Sequence, residues 1–206
     1  MTDQNRYLEL LDIIRWELKN PPEIVSDLSW DAVAQCVKNC TQCGLHQTRT
    51  QTVFGTGNQS ARVMFIGEAP GAEEDRQGKP FVGRAGQLLT QMLRAVGFSR
   101  DEVFIANILK CRPPNNRDPQ SAEVEKCTPF LRKQIAMIKP DVLIALGRIS
   151  AHFLLDTTTS LSKLRGQVFR FNDTPLIVTY HPAYLLRTPA DKSKAYEDLK
   201  KIREFL

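Results

Sequence analysis

The chain has 206 residues, 42% of them hydrophobic and 25% charged, which fits one compact globular domain ahead of two small ones. Its formal charge of +5 favours a polyanionic partner only mildly. The opening stretch "MTDQNRYLELLDIIRWELKN" carries acidic residues where a secretory signal needs basic ones, and its apolar residues are periodic rather than continuous. Both a signal peptide and a membrane span are therefore excluded as readings, and a reducing cytoplasm is the expected setting.

In chain order, Tyr7, Leu8, Leu11, Ile14 and Leu18 recur at helical spacing and predict an amphipathic helix ending at Asn20-Pro21-Pro22. Residues 21–29 read as a linker. A second helix is expected after Ser29, through "WDAVAQCVKN", delivering Cys40 at its end. Strand and helix then alternate. Strands are expected at 61–67, 102–109 and 140–147, then in "QVFRF" and "PLIVTYHP". Helices are expected at 84–97, closed by Gly97, at 121–139, in "RISAHFLL" and in the terminal "DKSKAYEDLKKIREFL". Apolar, Val/Ile-rich strands in such alternation predict an α/β fold with a parallel sheet covered on both faces.

Four of the five cysteines stand out. Cys40 and Cys43 form a C-x-x-C pair, and Cys111 and Cys127 follow far downstream. In a reducing setting, two close thiolates and two distant ones suit an iron–sulfur or other metal shell better than disulfides. Cys36, one helical turn before Cys40, reads as a spare thiol.

Ligands of open α/β sheets bind beyond the carboxyl ends of the strands. Glu68 follows the first strand of the alternation, Asn107 lies late in the second and His181 follows the last. "GEAPG" (67–71) is not a phosphate fingerprint, since neither G-x-G-x-x-G nor G-K-[ST] follows, which argues against a nucleotide-cofactor site. The stretch "AEEDRQGKPFVGRAG" reads as a long functional loop. His46 and His152 lack a place at the rim and read as structural.

These motifs carry a family resemblance. "GEAPG" with "EED", "GKPFVGRAGQLL", "NILKCRPPNNRDP" and "HPAYLLR", in that order and with this cysteine spacing, closely resemble the family 4 uracil-DNA glycosylases. The resemblance runs from about Cys40 to the C-terminus. Residues 1–35 are read as a helical extension and 36–206 as the glycosylase domain. It implies a monomeric three-layer α/β/α fold with a central four-stranded parallel sheet. It also implies a [4Fe-4S] cluster on Cys40, Cys43, Cys111 and Cys127, and excision of uracil from single- or double-stranded DNA. A related type that bonds covalently to DNA has "GEQPG" and an added His-containing basic loop. Residue 69 is Ala here and "CRPPNNRDP" holds no His, so a free-standing hydrolase is expected.

Roles follow from the chemistry that the resemblance implies. The base must be flipped into a pocket, where Phe81 stacks on it and Asn107 donates to O4 and accepts from N3–H. His181 and the backbone N–H groups of the 67–71 turn, including Gly67 and Ala69, stabilise charge developing on O2. Other uracil glycosylases exclude thymine with a Tyr where this chain has Gly71, and Glu74 is expected to fill that space. Glu68 is the candidate for positioning water or stabilising the sugar cation. Leu185 or Leu186 is expected to enter the duplex and Arg187 to meet phosphate. Lys110, Arg112 and Arg117 are further candidates for the DNA backbone. The rival expectation is an iron–sulfur DNA-binding redox sensor, or an electron carrier, without glycosylase activity.

Overall fold

The computed structural model describes residues 28–206; the expected helix over residues 7–18 lies outside the described residues. Helix α1 (Trp30–Lys38) is capped by Ser29, whose hydroxyl accepts from Ala32 N at 3.3 Å. It spans the division expected at residue 35. Val33 and Val37 are fully buried, and Trp30 meets Phe54 and Phe104 edge-on.

The sheet is built from β1 (Thr56–Gly57), β2 (Val63–Gly67), β3 (Phe104–Asn107), β4 (Val142–Leu146), β5 (Val168–Phe171) and β6 (Thr174–Thr179). Their spatial order is β1-β3-β2-β4-β6-β5. The four inner strands run parallel, and β1 and β5 pair antiparallel on the two edges. The sheet therefore has six strands, the four parallel ones lying inside two antiparallel edge strands. The two-residue β1 is too short to carry an alternation pattern, and the β5–β6 turn reverses the chain at Asn172, which adopts a positive φ of 50°.

The connecting helices are α2 (Ala72–Gln77), α3 (Arg84–Ala95), α4 (Ser121–Ile138), α5 (Arg148–Leu155), α6 (Leu161–Leu164), α7 (Pro182–Arg187) and α8 (Lys192–Lys200). Strand side chains alternate between two apolar layers, as the period of two requires. Met64, Ile66, Ala106, Leu143, Ala145 and Val178 pack toward α4 and α5. Val63, Phe65, Ile105, Ile144, Leu146 and Ile177 pack toward α3 and α8. Burial of both faces explains the nearly unbroken apolar runs of the inner strands. Short helices not expected from the sequence also form: α2, within the charged "AEEDRQ" run, α6, and α7, within "PAYLLR". None exceeds six residues, too short for a periodic apolar stripe to show.

Candidate active site

The carboxyl ends of β2, β3, β4 and β6 form one rim. Gly67 lies opposite Asn107 in the parallel ladder. Ile108 N and Leu109 N continue the pairing to the carbonyls of Gly67 and Glu68, both at 3.0 Å. A Cβ on Gly67 would stand 2.4 Å from Asn107 Oδ1 and 2.7 Å from Phe81 Cζ. Glycine is thus what leaves a space between the amide and the ring. Asn107 is 2% exposed, and its Oδ1 is buried without a hydrogen-bond partner. Such an acceptor costs about 1–3 kcal/mol unless a ligand satisfies it.

Phe81 is 6% exposed, sits at a φ of 53°, and has its ring centroid 5.6 Å from that of His181. A non-glycine residue in the left-handed region needs outside support. Glu74 provides it through Oε1, which accepts from Val82 N at 2.9 Å and Gly83 N at 3.0 Å. Arg100 Nη2 donates to Pro80 O at 2.9 Å. Gly86 gives the loop room, since a Cβ there would lie 1.8 Å from Phe81 O. The other Glu74 oxygen would be 2.8 Å from a Cβ on Gly71. Glu74 therefore lies over Gly71 and also braces the Phe81 loop, a role that sequence reasoning missed. No motif signals Arg100, which stands outside the matched stretches.

His181 caps α7: its Nδ1 accepts from Ala183 N at 3.2 Å. The ring's proton is thereby assigned to Nε2. Burial, aided by Arg187 and opposed by Glu74, pushes His181 down to about 4. It is a neutral N–H donor at physiological pH. Gly147, at φ 92°, lets β4 turn beside it, because a Cβ there would lie 2.8 Å from His181 Cβ. Glu68 is half-buried. Burial, then Asp118, raise its carboxyl to about 7, with Arg148 opposing. Arg148 itself donates to Asp118 Oδ2 at 2.8 Å.

The leucines separate clearly. Leu185 is 0% exposed and packs with Leu88 and Ala195. It cannot enter a duplex without tearing α7 from α3, which corrects the expectation for that residue. Leu186 is half-buried and Arg187 exposed. The helix carrying them is held by stacking of Tyr184 on Tyr180 at 4.8 Å. Arg165 lies 4.0 Å over the Tyr180 ring, and Tyr184 Oη donates to Asp191 Oδ2 at 2.6 Å.

Behind the rim, Cys40, Cys43, Cys111 and Cys127 line one pocket with Val37, Arg49 and Phe130. Cys36 packs nearby but does not line it. Burial pushes the Cys127 thiol up to about 12 and raises that of Cys111, so neither is a free nucleophile. Both sulfurs already receive N–H donors: Arg49 Nη1 to Cys111 at 3.1 Å, and Lys110 N to Cys127 at 3.2 Å. Among the described residues no three His, Cys, Asp or Glu side chains close tightly enough to hold a single metal ion. Four converging sulfurs with N–H donors fit a polynuclear cluster, whose ligands bind separate irons and stand further apart.

Of the basic residues near the thiols, Lys110 is 1% exposed and unable to meet DNA. Arg117 is paired with Glu123 at 2.6 Å, and Arg112 Nε donates to Asn116 Oδ1 at 2.8 Å. His46 Nδ1 and His152 Nε2 each bond a backbone carbonyl. No described helix is long and apolar enough to cross a membrane.

A family model described as "Uracil DNA glycosylase superfamily" matches residues 54–200. A type-4 uracil-DNA glycosylase of Archaeoglobus fulgidus is 44% identical over 184 residues, covering 85% of this chain and 92% of that protein. One from Thermotoga maritima is 45% identical over 180 residues, covering 85% and 94%. A type-5 uracil-DNA glycosylase of Pyrobaculum aerophilum is more distant, 33% identical over 147 residues and covering 63% and 64%.

Proposed function

The chain belongs to the uracil DNA glycosylase superfamily and groups with its type-4 enzymes, and from this premise we propose how its residues release uracil. It is a DNA repair hydrolase that cleaves the N-glycosidic bond of uracil in DNA. The observation that carries the assignment of the pocket is the buried, unpartnered Oδ1 of Asn107 beside the Phe81 ring.

The flipped base stacks on Phe81, a contact worth about 1–3 kcal/mol. Asn107 Oδ1 accepts from N3–H and its amide donates to O4. Cytosine presents the opposite polarity at both positions and leaves the amide mismatched. Glu74, over Gly71, stands where the thymine methyl would enter. As the glycosidic bond lengthens, negative charge grows on O2. His181 Nε2–H and the backbone N–H groups of the 67–71 turn, those of Gly67 and Ala69 among them, supply donors there. Glu68 in its ionised form orients water toward the sugar carbon and offsets its positive charge.

Leu186 fills the gap left in the stack and Arg187 meets phosphate, on single- or double-stranded DNA. Cys40, Cys43, Cys111 and Cys127 would hold a [4Fe-4S] cluster, which when bound would tie the 40–49 segment, the stretch after β3 and α4 together. The enzyme is read as a cytoplasmic monomer. A redox sensor without hydrolysis would leave the convergence of Glu68, Phe81, Asn107 and His181 unexplained. The test is incubation with a uracil-containing oligonucleotide followed by alkali. Strand scission at uracil is expected, and an intact strand would overturn the reading.

A further inference from the structure

We propose that Lys110 is a positioning residue for base reading, a buried ammonium that ties the backbone of Asn107 to the four-thiol site. The inference rests on the assignment of Asn107 as the base-reading residue.

Lysine is almost never fully buried without partners, yet Lys110 is 1% exposed. Its Nζ donates to Asn107 O at 2.9 Å and to Gln134 Oε1 at 2.7 Å. Gln134 is itself 0% exposed and is anchored in turn, its Nε2 donating to Phe54 O at 2.9 Å. From the same residue the backbone N–H reaches Cys127 Sγ, and the next residue is Cys111. One side chain therefore faces the residue that reads the base while its own backbone faces the sulfurs.

Charge gives this placement its force. Thiolates gathered in a low-dielectric interior need a compensating cation, and a cation there needs anions or carbonyls. Asn107 is the last residue of β3, and its side-chain oxygen has no protein partner. Its backbone is held by the ladder to Gly67 and by the bond from Lys110. A thiol site that fills correctly holds Lys110, and Lys110 holds the amide that selects the base.

The test uses Lys110→Met in the iron-loaded protein, a change that keeps the stem and removes the charge. Inhibition by free uracil should weaken about tenfold or more, the loss expected for one charge-assisted hydrogen bond. Single-turnover excision should fall, while affinity for undamaged DNA stays unchanged. Bleaching of the iron–sulfur absorbance by a chelator should accelerate about tenfold. Lys126→Met, an exposed lysine beside the same thiols, should alter none of these. Should Lys110→Met fail to fold, Gln134→Met removes one of the ammonium's two acceptors and must shift both readouts in the same direction. Weaker uracil inhibition with normal bleaching, or faster bleaching with normal inhibition, would overturn the coupling, as would no change in either. Wild-type protein indifferent to free uracil would instead overturn the reading of the pocket on which the inference rests.

Discussion

At Glu68 and His181 the protonation states needed for hydrolysis lie on the same side of neutrality. In the proposed mechanism Glu68 acts when ionised, and burial with Asp118 has raised it to about 7. His181 donates when neutral, and burial has lowered it to about 4. As pH falls through about 7, Glu68 takes up a proton and excision should decline, while His181 adds no limb until far more acidic conditions. Single-turnover rates across pH should show one rising limb near 7 and a plateau above it. Glu68→Gln should be slow and flat across that range, and His181→Ala should lose about 10²–10³ in rate while keeping the limb. A limb that survives in Glu68→Gln would move the water-positioning role to another carboxylate. Asn107→Asp tests the reading of the base. An ionised carboxylate only accepts, so it repels O4 of uracil, and excision should drop by about 10². Cytosine N3 wants a donor, so weak release of cytosine from a mismatch should appear and grow toward acidic pH, where the introduced carboxyl is protonated. Undiminished uracil excision by this variant would make Asn107 a structural strand residue.

Helices α2 and α7 show where sequence reasoning reached its limit. The parallel strands were legible because both their faces are buried and their apolar runs are nearly continuous. The rim residues Glu68, Asn107 and His181 were legible because each follows such a run. The short helices were not, since six residues give no periodic stripe, and the same limit hid which leucine faces out. Leu185 and Leu186 are neighbours, and only the docking of α7 on α3 turns the first inward against Leu88. Lys110 was misread for a related reason: its charge suggests surface, and its buried acceptors at Asn107 and Gln134 are distant or backbone groups that no local pattern reveals. The two leucines should accordingly behave differently. Leu185→Ala should cost about 2–5 kcal/mol in denaturant unfolding as a core truncation. Leu186→Ala should leave unfolding within about 0.5 kcal/mol and slow excision from duplex more than from single strands, because only the duplex has a stack to refill. Equal slowing on both substrates would remove Leu186 from the wedge role.

Across the whole molecule, the four-thiol pocket sits where the end of α1, the 40–49 segment, the stretch that follows β3 and α4 meet, and each contributes lining residues, from Val37 alone on α1 to Cys40, Gln42, Cys43 and Arg49 in the 40–49 segment. Around it the apolar contacts of Val33, Val37, Leu45, Leu109 and Phe130 form a small cluster of their own, and what the sulfurs hold adds to them. Strands β2, β4 and β6 have their own apolar layers on both faces and do not touch it. Replacing Cys40, Cys43, Cys111 or Cys127 with Ala should therefore lose iron and cooperative unfolding together, whereas Cys36→Ala should keep about four irons per chain. Glycosidic cleavage transfers no electron, and in the proposed mechanism the rim residues supply the donors and acceptors of the reaction. Reducing the bound cluster should consequently leave single-turnover excision unchanged. Iron analysis, thermal melts and excision assays on the five variants, with and without reductant, decide the matter. Full iron in Cys127→Ala, loss of iron in Cys36→Ala, or zinc in place of iron after anaerobic purification would each overturn the ligand assignment. A rate that follows the reductant would give the cluster a part in catalysis that the geometry of the rim does not require.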